Sequence, residues 1–498
     1  MSKTRIIATV GPASRDPEVL GALIDSGVNV FRVNCSHGTT NQTVELIHTI
    51  RSAIERSGHL VAIMADLAGP KIRVGRIGAG VDLVKDEIVT FRAGTTQCDD
   101  DAIPVVYDDL PDDVSPGDFM LLDDGQLEVE VVDVNDNDVS AKVSVGGLLL
   151  SHKGINLPGT GLKTHAPTAR DLQDLEGVLA AGVDYVALSF VRHPSDLVRL
   201  REAIRELGHD TPVIAKFERP EAIEHMDEIV ANTDGVMVAR GDLGIEMAQA
   251  LVPVLQKRII NSANAQSKPV IVATEMLESM VDCPRPTRAE VSDVANAILD
   301  GADALMLSGE TAIGSFPISA AHRMGQITEL TDQIGLTEGR PDRQITNRDR
   351  ARALAMAATG MVEELDAAAI VVYTQTGSAA RLVSSFRPRV PILALSPSDA
   401  TLRRLMLIHG IQAAHAPIMD DSDDLLGEAN NLALVCGTAS PGDLIVAIFG
   451  IPGETGGTNR IVVHEVMPAP TTHDHAVHAT HRKMGAGLDP YARRIGSK

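Results

Sequence analysis

The chain has 498 residues and contains 67 acidic against 44 basic side chains, which gives a formal net charge of −23. This length predicts two to four domains, and the negative charge argues against nucleic acid or an anionic membrane as a partner. The sequence has no apolar run long enough to span a bilayer and no secretory signal, so we expect a cytoplasmic protein.

Eight short apolar runs, each followed by a helical pattern, recur through the first two thirds of the sequence. They cover residues 5–10, 28–33, 60–66, 183–189, 213–216, 235–239, 270–274 and 304–307. Eight strands that alternate with helices predict an α/β protein with a (β/α)8 TIM barrel. In such a barrel the reactive groups lie at the carboxyl ends of the strands, so the polar residues there become the candidate active site.

The third and fourth runs are too far apart for a single crossover helix, so another unit must be inserted between them. The inserted text alternates apolar and polar residues, as in LEVEVVDVNDNDVSAKVSV, which is typical of antiparallel strands. We therefore expect a small β-barrel lid domain at 70–166 that could swing over the site. The catalytic barrel then consists of residues 1–69 and 167–340.

A second α/β pattern begins after residue 341. It predicts a helix at 351–365 and strands at 368–373, 391–395, 444–449 and 460–466, which together indicate an open α/β domain over 341–468. Residues 469–498 have few apolar anchors and predict a flexible tail. Its histidines could take up a transition metal, although a solvated tail explains them more simply. They are His473, His475, His478 and His481.

Polar side chains recur at the predicted strand ends. They are Arg32, Asn34, Ser36, Asp66, Arg73, Ser189, Lys216, Glu218, Asp242, Thr274 and Ser308. Glu218 and Asp242 follow consecutive strands, so their carboxylates could hold one hard divalent cation. Taken singly, each is better explained as a solvated loop acid or a helix cap than as a metal ligand.

Lys216 ends the run VIAK, and a lysine in this position is costly to bury without an anionic partner. A phosphate or an enolate would be such a partner, and so would the carboxylate of Glu218 or of another barrel acid in a salt bridge. The segment ARGDLG then opens a helix, whose first backbone N–H groups could bind a carboxylate.

Several longer segments carry a resemblance. They are RIIATVGPAS, FRVNCSHGT, GPKIRVG, KGINLPG, VIAKFE, GVMVARGDLGIE, VIVATEMLESM and PTRAEVSDVANAILDGADALMLSGETA. With these segments, in this order, the chain resembles the pyruvate kinase family over nearly its whole length. The resemblance implies phosphoryl transfer from phosphoenolpyruvate to ADP, giving pyruvate and ATP in glycolysis. It also implies magnesium or manganese as cofactor, a homotetramer, and the domain arrangement predicted above.

The resemblance also implies roles for individual residues. Lys216 would neutralise charge on the phosphoryl group in transfer, and Glu218 and Asp242 would bind the divalent metal. The backbone of Gly241 and Asp242, with Thr274, matches a cradle for the substrate carboxylate. Thr274 and Ser308 match positions implicated in the proton path to pyruvate.

Further positions match residues that contact the substrate phosphoryl group or the nucleotide phosphates. They are Arg32, counted also as catalytic, Ser189 for the substrate, and Asn34, His37, Arg73 and the lid residue Lys153 for the nucleotide. Closure of Lys153 over the nucleotide would exclude water, which competes as a phosphoryl acceptor.

One departure from the family carries a physical meaning. Many members have DTKGPEIR where this chain has DLAGPKIR, so Lys71 replaces a glutamate beside a site that usually holds potassium. The Lys71 ammonium could replace the monovalent cation, and we predict activity without potassium. A vestigial site stays open, because its ligands Asn34, Ser36, Asp66 and the Leu67 carbonyl are present. Glu275, in place of a common glutamine, could alter lid closure or nucleotide preference.

The loop TQTGS leaves a predicted strand and opens a helix, as phosphate cradles do. In the family this region binds phosphorylated regulators, so Thr374, Gln375, Thr376, Gly377 and Ser378 are candidate effector contacts, although an ordinary glycine-rich turn has the same pattern. Two other functions stay open. One is a magnesium-dependent lyase or aldolase of oxo acids, and the other is a non-catalytic paralogue that senses metabolites.

Overall fold

The computed structural model describes residues 2–98, 100–160, 163–335, 350–419, 421–450 and 458–468. The predicted tail and its four histidines lie outside these residues. Within them, no helix combines the length and apolar character that a membrane span requires.

The chain begins with three buried strands joined by two helices: β1 (Arg5–Thr9), α1 (Pro17–Asp25), β2 (Val30–Asn34), α2 (Thr40–Ser57) and β3 (Ala62–Leu67). The helices begin where the sequence provides caps. Asp16 accepts a hydrogen bond from the Glu18 N–H at the start of α1, and Thr39 and Gln42 form a capping box on α2.

An antiparallel unit follows β3. Its elements are β4 (Ile72–Arg73), β5 (Val81–Leu83), β6 (Ile88–Ala93), β7 (Ile103–Val105), α3 (Leu110–Asp113), β8 (Phe119–Leu122), β9 (Leu127–Asn135), β10 (Asp138–Val145), β11 (Gly147–Leu149) and β12 (Gly154–Asn156). Seven strands form one sheet in the order β4-β12-β8-β9-β10-β6-β7, and a bridge between Val74 and Val105 joins its two edges. The alternating sequence of β9 buries Leu127, Val129 and Val131 on one face, as predicted. We refer to this unit as the lid.

The chain then returns to the barrel. The elements are α4 (Ala169–Ala180), β13 (Tyr185–Leu188), α5 (Pro194–Glu206), β14 (Val213–Phe217), α6 (Pro220–Glu224), α7 (Met226–Asn232), β15 (Gly235–Ala239), α8 (Arg240–Glu246), α9 (Val252–Ala265), β16 (Val270–Ala273), α10 (Arg288–Leu299), β17 (Ala304–Leu307), α11 (Gly309–Ala312) and α12 (Pro317–Gly335). Short 3₁₀ helices cover Gln249–Leu251 and Glu278–Val281.

Eight strands close into a parallel barrel in the order β1-β17-β16-β15-β14-β13-β3-β2. Each of the eight apolar runs of the sequence supplies one of these strands, so the predicted barrel is confirmed. The strands are buried on both faces, which explains why they have continuous apolar runs rather than an alternating pattern.

The last unit contains α13 (Arg350–Leu365), β18 (Ala369–Tyr373), α14 (Ser378–Ser385), β19 (Ile392–Ser396), α15 (Asp399–Arg404), β20 (Ile411–His415), α16 (Ser422–Val435), β21 (Leu444–Gly450) and β22 (Thr458–Glu465), with a 3₁₀ turn at Leu405–Leu407. The sheet order is β20-β19-β18-β21-β22, and β22 is antiparallel to its neighbour. The sequence did not predict β20, because the edge strand IQAAH buries Ile411 and leaves its other side chains partly or fully exposed.

This C-terminal unit packs against the amino-terminal end of the barrel. The Arg5 Nε atom donates a hydrogen bond of 2.7 Å to the Ile408 carbonyl, and the Arg387 guanidinium donates to Asp303 at 2.9 Å. The carboxyl-terminal end of the barrel therefore faces away from this unit and is next to the lid.

Candidate active site

A cavity of about 320 Å³ lies between the carboxyl end of the barrel and the lid. It contains most of the residues that the sequence singled out, because the carboxyl ends of parallel barrel strands meet at one rim. The residues that line it are Arg32, Asn34, Ser36, His37, Ala68, Lys71, Arg73, Asp123, Asp124, His152, Lys153, Gly154, Ser189, Phe190, Lys216, Glu218 and Asp242.

Lys216 lies at the centre of a buried charge cluster. Its Nζ atom is 2.8 Å from Glu218 Oε1 and 3.3 Å from Asp66 Oδ2, and it donates a hydrogen bond of 2.7 Å to Ser189 Oγ. Ser189 in turn donates to Asp66 Oδ1 at 3.2 Å. Salt bridges of Lys216 with barrel acids, which the sequence left open, are therefore present, and Lys216 also borders the cavity.

The environment shifts the pKa values of this cluster in different directions. Burial lowers the pKa of Lys216, but the charges of Asp66 and Glu218 outweigh it and raise that pKa above its ordinary value. Burial raises the pKa of Asp66, but Lys216 and Arg32 bring it below its usual range. Burial also raises the pKa of Glu218, and there Lys216 does not overcome the combined effect of burial and the nearby Asp242.

Arg32 connects this cluster to the side of the cavity where the sequence places the nucleotide. Its guanidinium contacts Asp66 Oδ2 at 2.6 Å and donates to Thr9 Oγ1 at 3.1 Å. His37 also lines the cavity, and burial together with the positive charge of Arg73 lowers its pKa. The guanidinium groups of Arg32 and Arg73 near His37 make this wall positively charged, which suits phosphate.

Lys71 contacts a proposed metal ligand. Its Nζ atom lies 3.5 Å from Asp242 Oδ1, and both side chains are partly exposed to the cavity. Asn34 and Ser36 also line the cavity, where the Asn34 side chain accepts a hydrogen bond from the Ser36 N–H. Within the described chain, Lys71 thus pairs with Asp242 rather than with the oxygens of the predicted potassium site.

The lid contributes residues that the sequence analysis missed. Lys153, which was predicted, forms an ion pair of 2.7 Å with Asp123, and Arg73 donates a hydrogen bond to the His152 carbonyl. Asp123, Asp124 and His152 all line the cavity and all have positive φ angles. They lie in turns, where no periodic pattern marks an inward-facing side chain, so the sequence offered no signal for them.

Thr274 and Ser308 lie at the carboxyl ends of β16 and β17 but do not line the cavity. The Thr274 hydroxyl donates to the Ala273 carbonyl at 2.6 Å and accepts from the Gly241 N–H at 2.8 Å. Its φ of 70° is unusual for a threonine and holds it in a tight turn. Among the described residues, the buried Ser308 Oγ has no hydrogen-bond partner.

Other predicted residues also lie outside the cavity lining, among them Asp66 and Gly241. Leu67 is fully buried, and its neighbour Ala68 lines the cavity instead. The loop from Thr374 to Ser378 belongs to the C-terminal unit, where the Thr374 hydroxyl accepts from the Gly377 N–H at 3.0 Å and Gly377 has a φ of 81°.

The carboxylate oxygens at this site suit a magnesium ion whose other ligands are substrate and water better than a metal ion bound by protein ligands alone. In the part of the chain that the structure describes, no three His, Cys, Asp or Glu side chains are grouped as metal ligands. Glu218 and Asp242 offer two carboxylates, and the buried Glu218 Oε1 has no aligned hydrogen bond within the same residues, although Lys216 Nζ is 2.8 Å away. Two carboxylates completed by substrate oxygens and water are a typical magnesium environment.

Comparison with known proteins gives the same assignment in both units. The family model described as pyruvate kinase, barrel domain, matches residues 1–321, and the model described as pyruvate kinase, alpha/beta domain, matches residues 352–464. Pyruvate kinase 2 of Synechocystis sp. is 43% identical over 470 residues, which cover 93% of this chain and 79% of that protein. The pyruvate kinase of Corynebacterium glutamicum is 40% identical over 465 residues, with 93% and 97% covered.

A solved structure agrees with these relatives. The crystal structure of a pyruvate kinase from Cryptosporidium parvum matches with a TM-score of 0.86 at 32% identity, covering 93% of this chain and 96% of that one. Pyruvate kinases are transferases that act on phosphoenolpyruvate, ADP, ATP and pyruvate and generally use magnesium. With both units matched and between 79% and 97% of the length of these relatives covered, this chain belongs to the pyruvate kinase family.

Proposed function

We propose that this enzyme transfers the phosphoryl group of phosphoenolpyruvate to ADP as a step of glycolysis in the cytoplasm, and that it needs no potassium ion. The observation that carries the proposal is the buried Lys216 ammonium, which borders a cavity shared by the barrel and the lid. A lyase or aldolase of oxo acids has no use for the cationic side chains Arg73 and Lys153 in that cavity. A second phosphorylated substrate does.

The positive groups on the barrel side explain how the phosphoryl group is held. In the reaction, the bond between phosphorus and the enolate oxygen breaks, and an oxygen of the ADP β-phosphate forms the new bond to phosphorus. We assign Lys216 and Arg32 to the charge that spreads over the transferring group and the departing enolate. Asp66 and Ser189 hold the Lys216 ammonium in place, so little reorganisation is needed during transfer.

Glu218 and Asp242 are the residues that we assign to the divalent metal. Bound there, magnesium would supply positive charge that stabilises the anionic substrate. In the structure each carboxylate contacts a lysine, Glu218 with Lys216 and Asp242 with Lys71. The site is therefore charge-balanced by amines.

The cationic lid residues would complete the nucleotide side of the site. Lys153 is paired with Asp123 and is 38% exposed, so it can exchange this partner for a nucleotide phosphate. Closure of the lid would then shield the transferring phosphoryl group from water.

The enolate product needs one proton on carbon to become pyruvate, and we assign this path to the hydroxyls of Thr274 and Ser308. The Thr274 hydroxyl is already engaged as donor and acceptor, and its hydrogen bond to Gly241 positions the loop of the carboxylate cradle. The Ser308 hydroxyl, with no hydrogen-bond partner among the described residues, has free capacity to relay a proton.

Lys71 is the basis for the proposed independence from potassium. Its ammonium adds a positive charge to the cavity wall, next to Asp242 and among residues that match potassium ligands elsewhere in the family. We expect Lys71→Glu to convert the enzyme to potassium dependence, because the variant has the charge of the potassium-dependent members.

The test is pyruvate formation from phosphoenolpyruvate and ADP with magnesium, measured in potassium and in tetramethylammonium buffer. The wild type should have equal rates in the two buffers, and Lys71→Glu should be active in potassium alone. Lys85→Glu, a change of an exposed lid lysine, is the control for altered charge. Wild-type activity in potassium alone would overturn the Lys71 argument, and no activity in either buffer would support a metabolite-sensing paralogue.

We extend the proposal to regulation and assembly. The loop from Thr374 to Ser378 leaves β18 and opens α14, which is consistent with a cradle for a phosphorylated effector. The family resemblance also supports a homotetramer. Sedimentation of the purified enzyme with and without a sugar phosphate or AMP would test both expectations.

A further inference from the structure

The two chain segments that connect the lid to the barrel enclose a buried polar cluster. Residues 70–72 lead into the lid and residues 155–157 lead out of it, and together with Phe190, Arg219 and Glu246 they surround a cavity of about 10 Å³. Asn156, Arg219 and Glu246 are each at most 6% exposed. We call these three residues the hinge network.

Glu246 joins the other two members of the hinge network. Its Oε1 atom accepts a hydrogen bond of 3.0 Å from Asn156 Nδ2 and forms an ion pair of 2.8 Å with Arg219 Nη1. Arg219 also donates to the Thr160 carbonyl at 3.2 Å, on the segment that leaves the lid. Two barrel residues thus hold the exit strand of the lid through polar contacts.

The same two barrel residues are linked to the proposed metal ligands. Arg219 directly follows Glu218, and Glu246 lies one helical turn after Asp242 on α8, where side chains four residues apart share a face. Phe190, which lines the hinge cavity, also donates its N–H to Glu218 Oε2 at 2.7 Å. A shift of Asn156 therefore acts on neighbours of both carboxylates.

The hinge network also has unused hydrogen-bonding capacity. Asn156 Oδ1 and Glu246 Oε2 are buried, and within the described residues neither has a hydrogen-bond partner. At a buried site, packed apolar side chains often stabilise a fold as well as an ion pair does, or better. Free acceptors beside the connection to the lid would allow the network to exchange partners if the lid changes position.

We propose that Asn156, Glu246 and Arg219 are positioning residues that couple the position of the lid to the affinity of the Glu218 and Asp242 carboxylates for the divalent metal. The coupling rests on the proposed function, because it assumes that these two carboxylates bind the metal. It goes further in assigning control of that site to the lid hinge.

The test measures Mn²⁺ binding to the full chain, without substrates, from the electron paramagnetic resonance signal of free Mn²⁺. Asn156→Ala should raise the Kd for Mn²⁺ about tenfold, the low end of the effect usual for residues that orient metal ligands. Asn264→Ala is the matched control, because Asn264 is also buried and donates one hydrogen bond, to the Gly301 carbonyl, far along the chain from the hinge. Its Kd should equal that of the wild type.

Steady-state kinetics supply a readout that a purely structural role would not change. The concentration of Mn²⁺ at half-maximal rate should rise in Asn156→Ala, while kcat at saturating Mn²⁺ returns to within about twofold of the wild type. Glu246→Gln, which keeps the shape and removes the charge, is the second variant and should also raise the Kd for Mn²⁺. It keeps the proposal testable if Asn156→Ala does not fold.

Glu218→Gln separates this inference from the proposed function. Unchanged Mn²⁺ binding in Glu218→Gln would refute the proposed metal ligands themselves. Loss of binding in Glu218→Gln, together with wild-type Kd values in both Asn156→Ala and Glu246→Gln, would leave those ligands intact and overturn the coupling through the hinge network.

Discussion

The two ends of the barrel use polar side chains, most of them acidic, in different ways. At the amino-terminal end, Asn29, Asp184, Asp234 and Asp303 directly precede β2, β13, β15 and β17, which are alternate strands of the barrel. Each side chain accepts a hydrogen bond from a backbone N–H at the start of a neighbouring strand. The donors are Ile6, Ile63, Val213 and Val270, with donor–acceptor distances of 2.9 to 3.0 Å.

The acids at this end are also paired with arginines. Asp184 accepts from Arg51 and Arg403, and Asp303 accepts from Arg387. These contacts use both carboxylate oxygens of Asp184 and Asp303, and guanidinium groups hold them in fixed geometry.

At the carboxyl-terminal end Asp66 is also paired with an arginine, Arg32, but Glu218 is not. Glu218 Oε2 accepts from the Phe190 N–H, whereas Glu218 Oε1 faces the Lys216 amine without an aligned hydrogen bond in the described chain. A fully satisfied acid has no remaining capacity for a ligand, whereas an incompletely satisfied one can bind a metal or respond to a phosphate. Carboxylates therefore stabilise the fold at the amino-terminal end of the barrel, whereas Glu218 at the other end is available for chemistry.

Lys216→Met gives the strongest test of this contrast. It removes the cation next to the transferring phosphoryl group, so kcat should fall by at least about 10³-fold, the scale of losing one dedicated charge-stabilising group. Loss of the amine also leaves Asp66 and Glu218 buried without it, which should raise the pKa of both carboxyls.

Pyruvate formation by purified enzyme measures the effect of Lys216→Met. Lys142→Met is the control, because Lys142 is an exposed lid lysine paired with Asp86 at 2.8 Å, and it should retain wild-type kcat. A Lys216→Met enzyme within tenfold of the wild type would show that the buried ammonium serves the fold rather than the reaction.

The sequence predicted the polar residues at the carboxyl-terminal end of the barrel better than those at the amino-terminal end. Strand-end residues such as Lys216, Glu218 and Asp242 were identified, because a polar residue that closes a buried apolar run is conspicuous and parallel strands bring such residues to one rim. The sequence did not predict that Asp184 and Asp303 accept hydrogen bonds from the first N–H groups of neighbouring strands. Each precedes its strand, where an aspartate is typical of any turn, and its partners are distant in the sequence.

The sequence also could not predict the contacts between the lid and the barrel. The pairing of Lys71 with Asp242 depends on how the lid meets the barrel, and the positions of Asp123, Asp124 and His152 depend on turns with positive φ. No periodic pattern encodes such contacts, because they arise from tertiary packing. The division of the chain at residues 69 and 166 stays a prediction, as does each role assigned to a site residue.

The amino-terminal end should also be the acid-sensitive end. His409 lies at the contact between the C-terminal unit and the barrel, with Nε2 3.7 Å from Asp332 Oδ1 on α12. Burial and the charge of Arg387 lower its pKa to about 4, against the opposing effects of Asp332 and Asp303. The pKa of Asp332 is also lowered: burial opposes this shift, but the nearby His409 and the hydrogen bonds that Thr4 donates favour the charged form.

Between pH 6.5 and pH 4 the unfolded chain binds a proton at this histidine and the folded chain does not. The free energy of unfolding should therefore fall as the pH drops through this range, by about 3 kcal/mol in total from His409. His409→Gln removes that contribution, so urea unfolding at pH 7 and pH 4.5 should give a smaller difference for the variant. Equal differences for variant and wild type would mean that His409 is protonated in the folded protein.

Asp303→Asn is the smaller and more specific change. The substitution keeps an oxygen that can accept from the Val270 N–H, but it weakens the charge-assisted bond to Arg387. We expect the free energy of unfolding to fall by about 1 to 3 kcal/mol, the usual effect of disturbing a buried hydrogen bond with a charged group. Because Asp303 lies at the end of the barrel opposite to Lys216, kcat per folded molecule should stay at the wild-type value. A loss of kcat at unchanged stability would show instead that the amino-terminal end influences the chemistry, and the division of labour between the two ends would not hold.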